Sequence, residues 1–135
     1  MTTEETVKGE GINFDISRWP IIVVTPVGNV TDQSLIDFMD SYMPFVMRKQ
    51  ERYAVVNDLR QQNNMTVKQR RRLTSLMKEN EEFLNKYNAG TALVFTSPAL
   101  KGILQAVFWI FKPDRPIEVF SDLDKALAWA ESKLQ

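Results

Sequence analysis

Residues Ile21 to Val24 are a continuous β-branched run, closed by Pro26 and Gly28. A strand exposed on one face alternates apolar with polar residues, and this run does not, so it belongs to a strand buried on both faces. Buried strands of this kind lie in mainly parallel sheets with helices packed on them. Pairing parallel strands requires long crossovers, and the rest of the chain supplies them.

Before this run, Ile12, Phe14 and Ile16 alternate with polar residues and Trp19-Pro20 breaks the pattern, which predicts an edge strand. After it, Thr31 is placed to cap a helix running to about Lys49. Arg52 to Asp58, with Tyr53-Ala54-Val55-Val56, predicts a third strand. Thr66-Val67-Lys68-Gln69 matches a capping box, and Leu73, Leu76, Met77, Asn80, Phe83, Leu84 and Tyr87 keep the spacing of one amphipathic helix, with Asn88 and Gly90 as its stop. Ala92 to Phe95 reads as a fourth strand, and Ser97-Pro98 opens a third helix to about Lys112. Ile117 to Phe120 makes a fifth strand, and Ser121 to Asp124 opens a last helix with Leu123, Ala126, Leu127, Ala130 and Leu134 inward. The expected architecture is α/β, in the order β-β-α-β-α-β-α-β-α, with a mainly parallel mixed sheet. Residues 1–11 are polar and acidic and read as a flexible tail, and 12–135 as a single domain.

Composition narrows the chemistry. The chain has 135 residues, and its 17 basic residues cancel 17 acidic ones, so net charge argues for neither nucleic acid nor anionic membrane. Cysteine and histidine are both absent. Their absence removes thiolate nucleophiles, the common catalytic triads, and the usual zinc and iron–sulfur ligand sets. The five glycines never cluster into a phosphate-binding loop, so no cofactor is expected. The most apolar stretch, Ile103 to Phe111, is far shorter than the roughly 20 residues that cross a bilayer, and a cytoplasmic location is expected. These readings favour a domain that binds over one that catalyses.

Three places depart from what a plain core requires. In the third helix Leu100, Ile103, Leu104, Val107, Ile110 and Phe111 share one face, leaving Trp109 opposite and Phe108 on a flank. Either these are ordinary surface aromatics, or they form a surface for a protein partner or a homodimer. In the first helix the apolar arc is unusually wide, and Met39, Met43 and Met47 form a stripe that suits either a core or an adaptable interface. Pro44 is expected to kink that helix near Asp40. A pocket between helices lined by Phe108, Met43 and Met47 would instead make the protein a carrier of a small apolar or lipid-like ligand. Lastly, Lys68, Arg70, Arg71 and Arg72 crowd the first turns of the second helix, where the macrodipole disfavours cations. They form either a solvated face or a site for an anion, a phosphorylated Thr66 or an acidic partner. Without interleaved aromatics they make a poor nucleic-acid site.

The element order, the strand end Ala54-Val55-Val56-Asn57-Asp58-Leu59-Arg60, and the closing Val119-Phe120 strand followed by Ala126-Leu127-Ala128-Trp129 resemble the SpoIIAA-like superfamily. That superfamily includes the STAS domains of bacterial anti-sigma-factor antagonists and small STAS/SEC14-like proteins. The likeness covers about Ile12 to Leu134. It implies a curved mixed sheet, regulation through protein contacts and no enzymatic activity. In the phosphorylated antagonists an Asp-Ser-Ser-Gly-like sequence opens the helix after the third strand. Here that region reads Asn63-Asn64-Met65-Thr66, so the serine is missing and Thr66 is the nearest hydroxyl. Asp58 corresponds to the acidic residue that ends the strand. SEC14-like relatives bind lipids with additional helices that this chain lacks.

Overall fold

The computed structural model describes residues 11–62, 65–99, 102 and 115–135. Five strands form one sheet: β1 (Gly11–Asp15), β2 (Ile21–Val27), β3 (Tyr53–Asp58), β4 (Asn88–Val94) and β5 (Ile117–Phe120), hydrogen-bonded in that order. β1 runs antiparallel to β2 at the edge, and β2 through β5 are parallel. The helices among the described residues are α1 (Asp32–Lys49), α2 (Val67–Glu79), α3 (Glu81–Tyr87) and α4 (Leu123–Lys133).

The β-branched run behaves as its composition requires. Ile22 and Val24 point into one core with Ile12, Phe14, Tyr53 and Val55, beneath α1, α2 and α3. Ile21 and Val23 point to the other face, where Ala54, Val56, Ala92 and Val94 meet Ala126 and Ala130 of α4. Alanines on both sides of that second contact let α4 lie close to the sheet. Both faces are dry because both carry helices.

The wide apolar arc of α1 is largely consumed inside the chain. Phe38 and Tyr42 stack on each other with centroids 5.0 Å apart and meet Phe14 of β1 edge-on. Phe45 packs edge-on against Trp19, which also stacks on Tyr53. The β1–β2 hairpin thus supplies the cover that the arc requires. α1 continues through Pro44 as one element of 18 residues.

Two boundaries differ from the sequence reading, and each has a local cause. The long second helix is two helices broken at Asn80. The Asn80 side chain donates to the Leu76 carbonyl at 2.9 Å, and Asn80 leaves helical geometry at φ −111°, ψ 18°. A short amide that competes for backbone carbonyls ends a helix readily. β4 begins at Asn88, so Asn88 and Gly90 lie inside a strand and do not merely stop a helix. The Asn88 carboxamide oxygen accepts the Gly90 N–H at 2.9 Å, beside an irregularity in the β3–β4 register at Tyr53/Ala54. Glycine is needed there because a Cβ on Gly90 would stand 2.9 Å from Cη2 of Trp129.

Candidate functional site

Where the parallel strands end, the starts of α1 and α2 meet the end of β3. Thr31 and Thr66 each cap a helix with a reciprocal box. Thr66 Oγ1 accepts the Gln69 N–H at 3.0 Å, and Gln69 Oε1 accepts the Thr66 N–H at 3.0 Å. Gln69 is buried, and its amide nitrogen donates to the Val30 carbonyl and to Asp32 Oδ1, both at 2.9 Å. One side chain therefore closes the cap of α2 and fastens it to the start of α1. The backbone adds a second tie, since the Gly28 N–H donates to the Gln61 carbonyl at 2.9 Å. Gly28 sits at φ +67°, a conformation glycine adopts without cost.

On this fixed base Lys68, Arg70, Arg71 and Arg72 are all exposed. The first turn of α2 contains no acidic residue, and its Val67 is 55% exposed. The outcome is a rigidly mounted basic surface with an apolar residue at its edge.

Asp58, the last residue of β3, is occupied. Arg60 Nε donates to its Oδ1 and Arg60 Nη2 to its Oδ2, each at 2.8 Å, and the Arg60 N–H reaches Oδ1 at 3.2 Å. Those bonds hold the Asp58 carboxyl below its ordinary range, against the opposing effect of burial. A carboxylate so depressed is a weak general base, and its geometry suits closing a turn and aiming Arg60 outward. Among the described residues, no hydrogen bond or ion pair joins Asp58 to Thr66, Arg70 or Arg71.

The methionine stripe is split. Met43 is 7% exposed within the core, so it serves packing and is not available to a partner or as a pocket wall. Met47, one turn on, is 42% exposed. Phe108 and Trp109 lie outside the described residues. Sequence reasoning missed the double use of Gln69 and the pairing of Arg60 with Asp58; the first had a partial signal in the capping box, the second in the two-residue spacing.

No helix among the described residues is long and apolar enough to cross a membrane. No family model matches the chain, and no curated protein is similar to it in sequence. Solved structures are similar in fold. An uncharacterized protein of the DUF3478 family with a SpoIIAA-like fold, from Shewanella loihica, matches with a TM-score of 0.66 at 13% identity, covering 92% of this chain and 97% of that one. An anti-sigma factor antagonist from Mycobacterium paratuberculosis matches with a TM-score of 0.54 at 15% identity, covering 93% and 91%. The chain has the SpoIIAA-like fold.

Proposed function

We propose that the protein is a regulatory module that acts by binding another protein, and that the start of α2 is the surface it offers to an acidic partner. The carrying observation is the placement of charge. Lys68, Arg70, Arg71 and Arg72 stand exposed on the positive end of a helix whose first turn has no acid to offset them. Each such cation near a helix start costs roughly 0.3–1 kcal/mol, so the fold alone does not favour them. The similarity in fold to an anti-sigma factor antagonist supports a role in protein contacts.

Charge reversal tests this with two opposed readouts. Lys68→Glu/Arg71→Glu should raise the melting temperature slightly, since acids suit a helix start, while abolishing capture of the partner from the native host. Capture unchanged by this variant would overturn the assignment of the surface.

A second reading rests on Met47, which is exposed at the far end of α1. Self-association through that end, together with Phe108 and Trp109, predicts a dimer in light scattering. Met47→Lys and Phe108→Ala/Trp109→Ala should each convert it to a monomer, and a wild-type monomer would remove this reading.

A further inference from the structure

One stripe of charge runs the length of α2 and on into α3. Lys68, Arg72, Ser75, Glu79 and Glu82 follow one another by four, three, four and three residues, and all five are exposed. At about 100° per residue this spacing keeps them on one helix face, with Arg71 and Lys78 on its flank and Arg70 well away from it. Helical hydrogen bonds carry the spacing across the break at Asn80, from its N–H to the Leu76 carbonyl at 3.2 Å and from the Leu84 N–H to its carbonyl at 2.9 Å. We infer that this stripe pairs, antiparallel, with the same stripe of a second copy of the chain. The inference rests on the reading of α2 as a surface for acidic groups, and it names Glu79 and Glu82 of a second copy as acids that meet it.

Within one chain the order of these charges is unfavourable. Lys68 lies in the first turn of α2 and Glu79 is its last residue, each at the end where the macrodipole disfavours its charge. Lys68 and Arg72 are like charges four residues apart, and Glu79 and Glu82 are like charges three apart, the spacings at which helix neighbours meet and repel. Glu82 alone suits its place, in the first turn of α3. Among the described residues, none of the four has an ion-pair partner.

A second copy turned end for end reverses these relations. The sign of the stripe changes once, at Ser75, so an antiparallel partner sets its acidic half against the basic half of the first chain. With Ser75 of both chains at the two-fold axis, Lys68 lies opposite Glu82 of the second copy, each seven residues from the axis. Arg72 and Glu79 of the second copy, three and four residues from it, fall within about 1.5 Å of one level along the helices. Symmetry makes each pair twice.

The small side chain at Ser75 lets the two helices approach at the crossing. The whole chain is neutral, so two copies meet without general repulsion. A uniformly acidic partner satisfies Lys68 and Arg72 but sets its own acids against Glu79 and Glu82. The stripe as a whole is complementary to itself. Four exposed ion pairs make a weak contact, and one that salt readily screens.

Sedimentation velocity of the full chain at up to about 1 mM, in salt of about 0.01 M and about 1 M, tests the pairing. Wild type should dimerise at low salt and associate at least about tenfold more weakly at high salt. Lys68→Glu/Arg72→Glu and Glu79→Lys/Glu82→Lys should each be monomeric alone, yet form a mixed dimer when combined, because an all-acidic stripe then faces an all-basic one. Circular dichroism and melting temperature establish that each variant is folded. A monomeric wild type at low salt, the absence of a mixed dimer, or dimers that survive in both variants would each overturn the inference. Dissociation by Met47→Lys with both charge variants still paired would place the contact on α1 instead. Glu79→Lys/Glu82→Lys also separates this inference from the reading beneath it, since that variant should lose self-association and still capture an acidic partner from the native host. Capture that depends on Lys68 and Arg71 beside a monomeric wild type would keep the basic surface and remove the second copy.

Discussion

Gln69 reaches across from α2 and donates to the Val30 carbonyl at 2.9 Å, so that one buried amide fixes two helix starts to each other. Its oxygen meanwhile accepts the Thr66 N–H, and its nitrogen also serves Asp32. Glutamate is ordinarily a good residue at this cap position. Here Gln69→Glu keeps the acceptor for Thr66 but removes the donor and sets a carboxylate against Asp32 and a carbonyl oxygen. Urea denaturation should show Gln69→Glu destabilised by about 2 kcal/mol or more, at least as much as Gln69→Ala, because buried groups lose their donor. A stabilised Gln69→Glu would mean that only the local cap matters.

Gly90 supports the other layer. A Cβ there would meet Cη2 of Trp129 at 2.9 Å and Cγ of Lys133 at 3.2 Å. The indole cannot simply withdraw, since it packs against Phe120 with centroids 5.8 Å apart. Gly90→Ala should therefore cost about 1–3 kcal/mol, as overpacked sites do. Trp129→Leu should recover part of that loss in the double variant. Additive effects of the two changes in thermal unfolding would show that they do not share this contact.

The sequence revealed most where a signal was local. The run Ile21 to Val24 implied a strand covered on both faces, and the caps at Thr31 and Thr66 marked two helix starts. It revealed least where distant residues decide. Asn80 fits the helical spacing, and only its bond to the Leu76 carbonyl shows that it ends a helix. Gly90 resembles a stop signal until Trp129, 39 positions later, is seen lying over it. Met43 and Met47 share one helical stripe, yet the first is in the core and the second in water, because the core ends between them.

Arg60 should contribute stability in a pH-dependent way. Its hydrogen bonds are the largest cause of the lowered Asp58 pKa, so the folded state binds that proton less readily than the unfolded one. The stabilisation is present above the unfolded value of about 4 and is lost as pH falls through the folded value. Arg60→Ala should cost about 1–2 kcal/mol at neutral pH, held to the lower part of the charged-bond range because the guanidinium is 39% exposed. The deficit should vanish in strong acid. Urea midpoints at a series of pH values from neutral downward give the test, and a deficit equal at every pH would assign the effect to packing.

Tyr53 predicts the opposite limb. It is fully buried between Trp19 and the α1 aromatics, and burial pushes its hydroxyl up to about 12. Burial is also the main cause of the raised Tyr42 pKa. A raised folded pKa means that the contribution to stability is intact below the ordinary tyrosine value near 10 and is lost as pH rises toward about 12. By about pH 11 the unfolded state gains roughly 1.4 kcal/mol from ionising Tyr53, which the folded state does not share. Tyr53→Phe removes that term, so its stability should fall less steeply than wild type through this range. Tyrosinate absorbance should also lose one late-titrating group. Parallel alkaline unfolding curves for the two proteins, with all the tyrosines of wild type ionising before it unfolds, would show that the Tyr53 hydroxyl already meets water in the folded state.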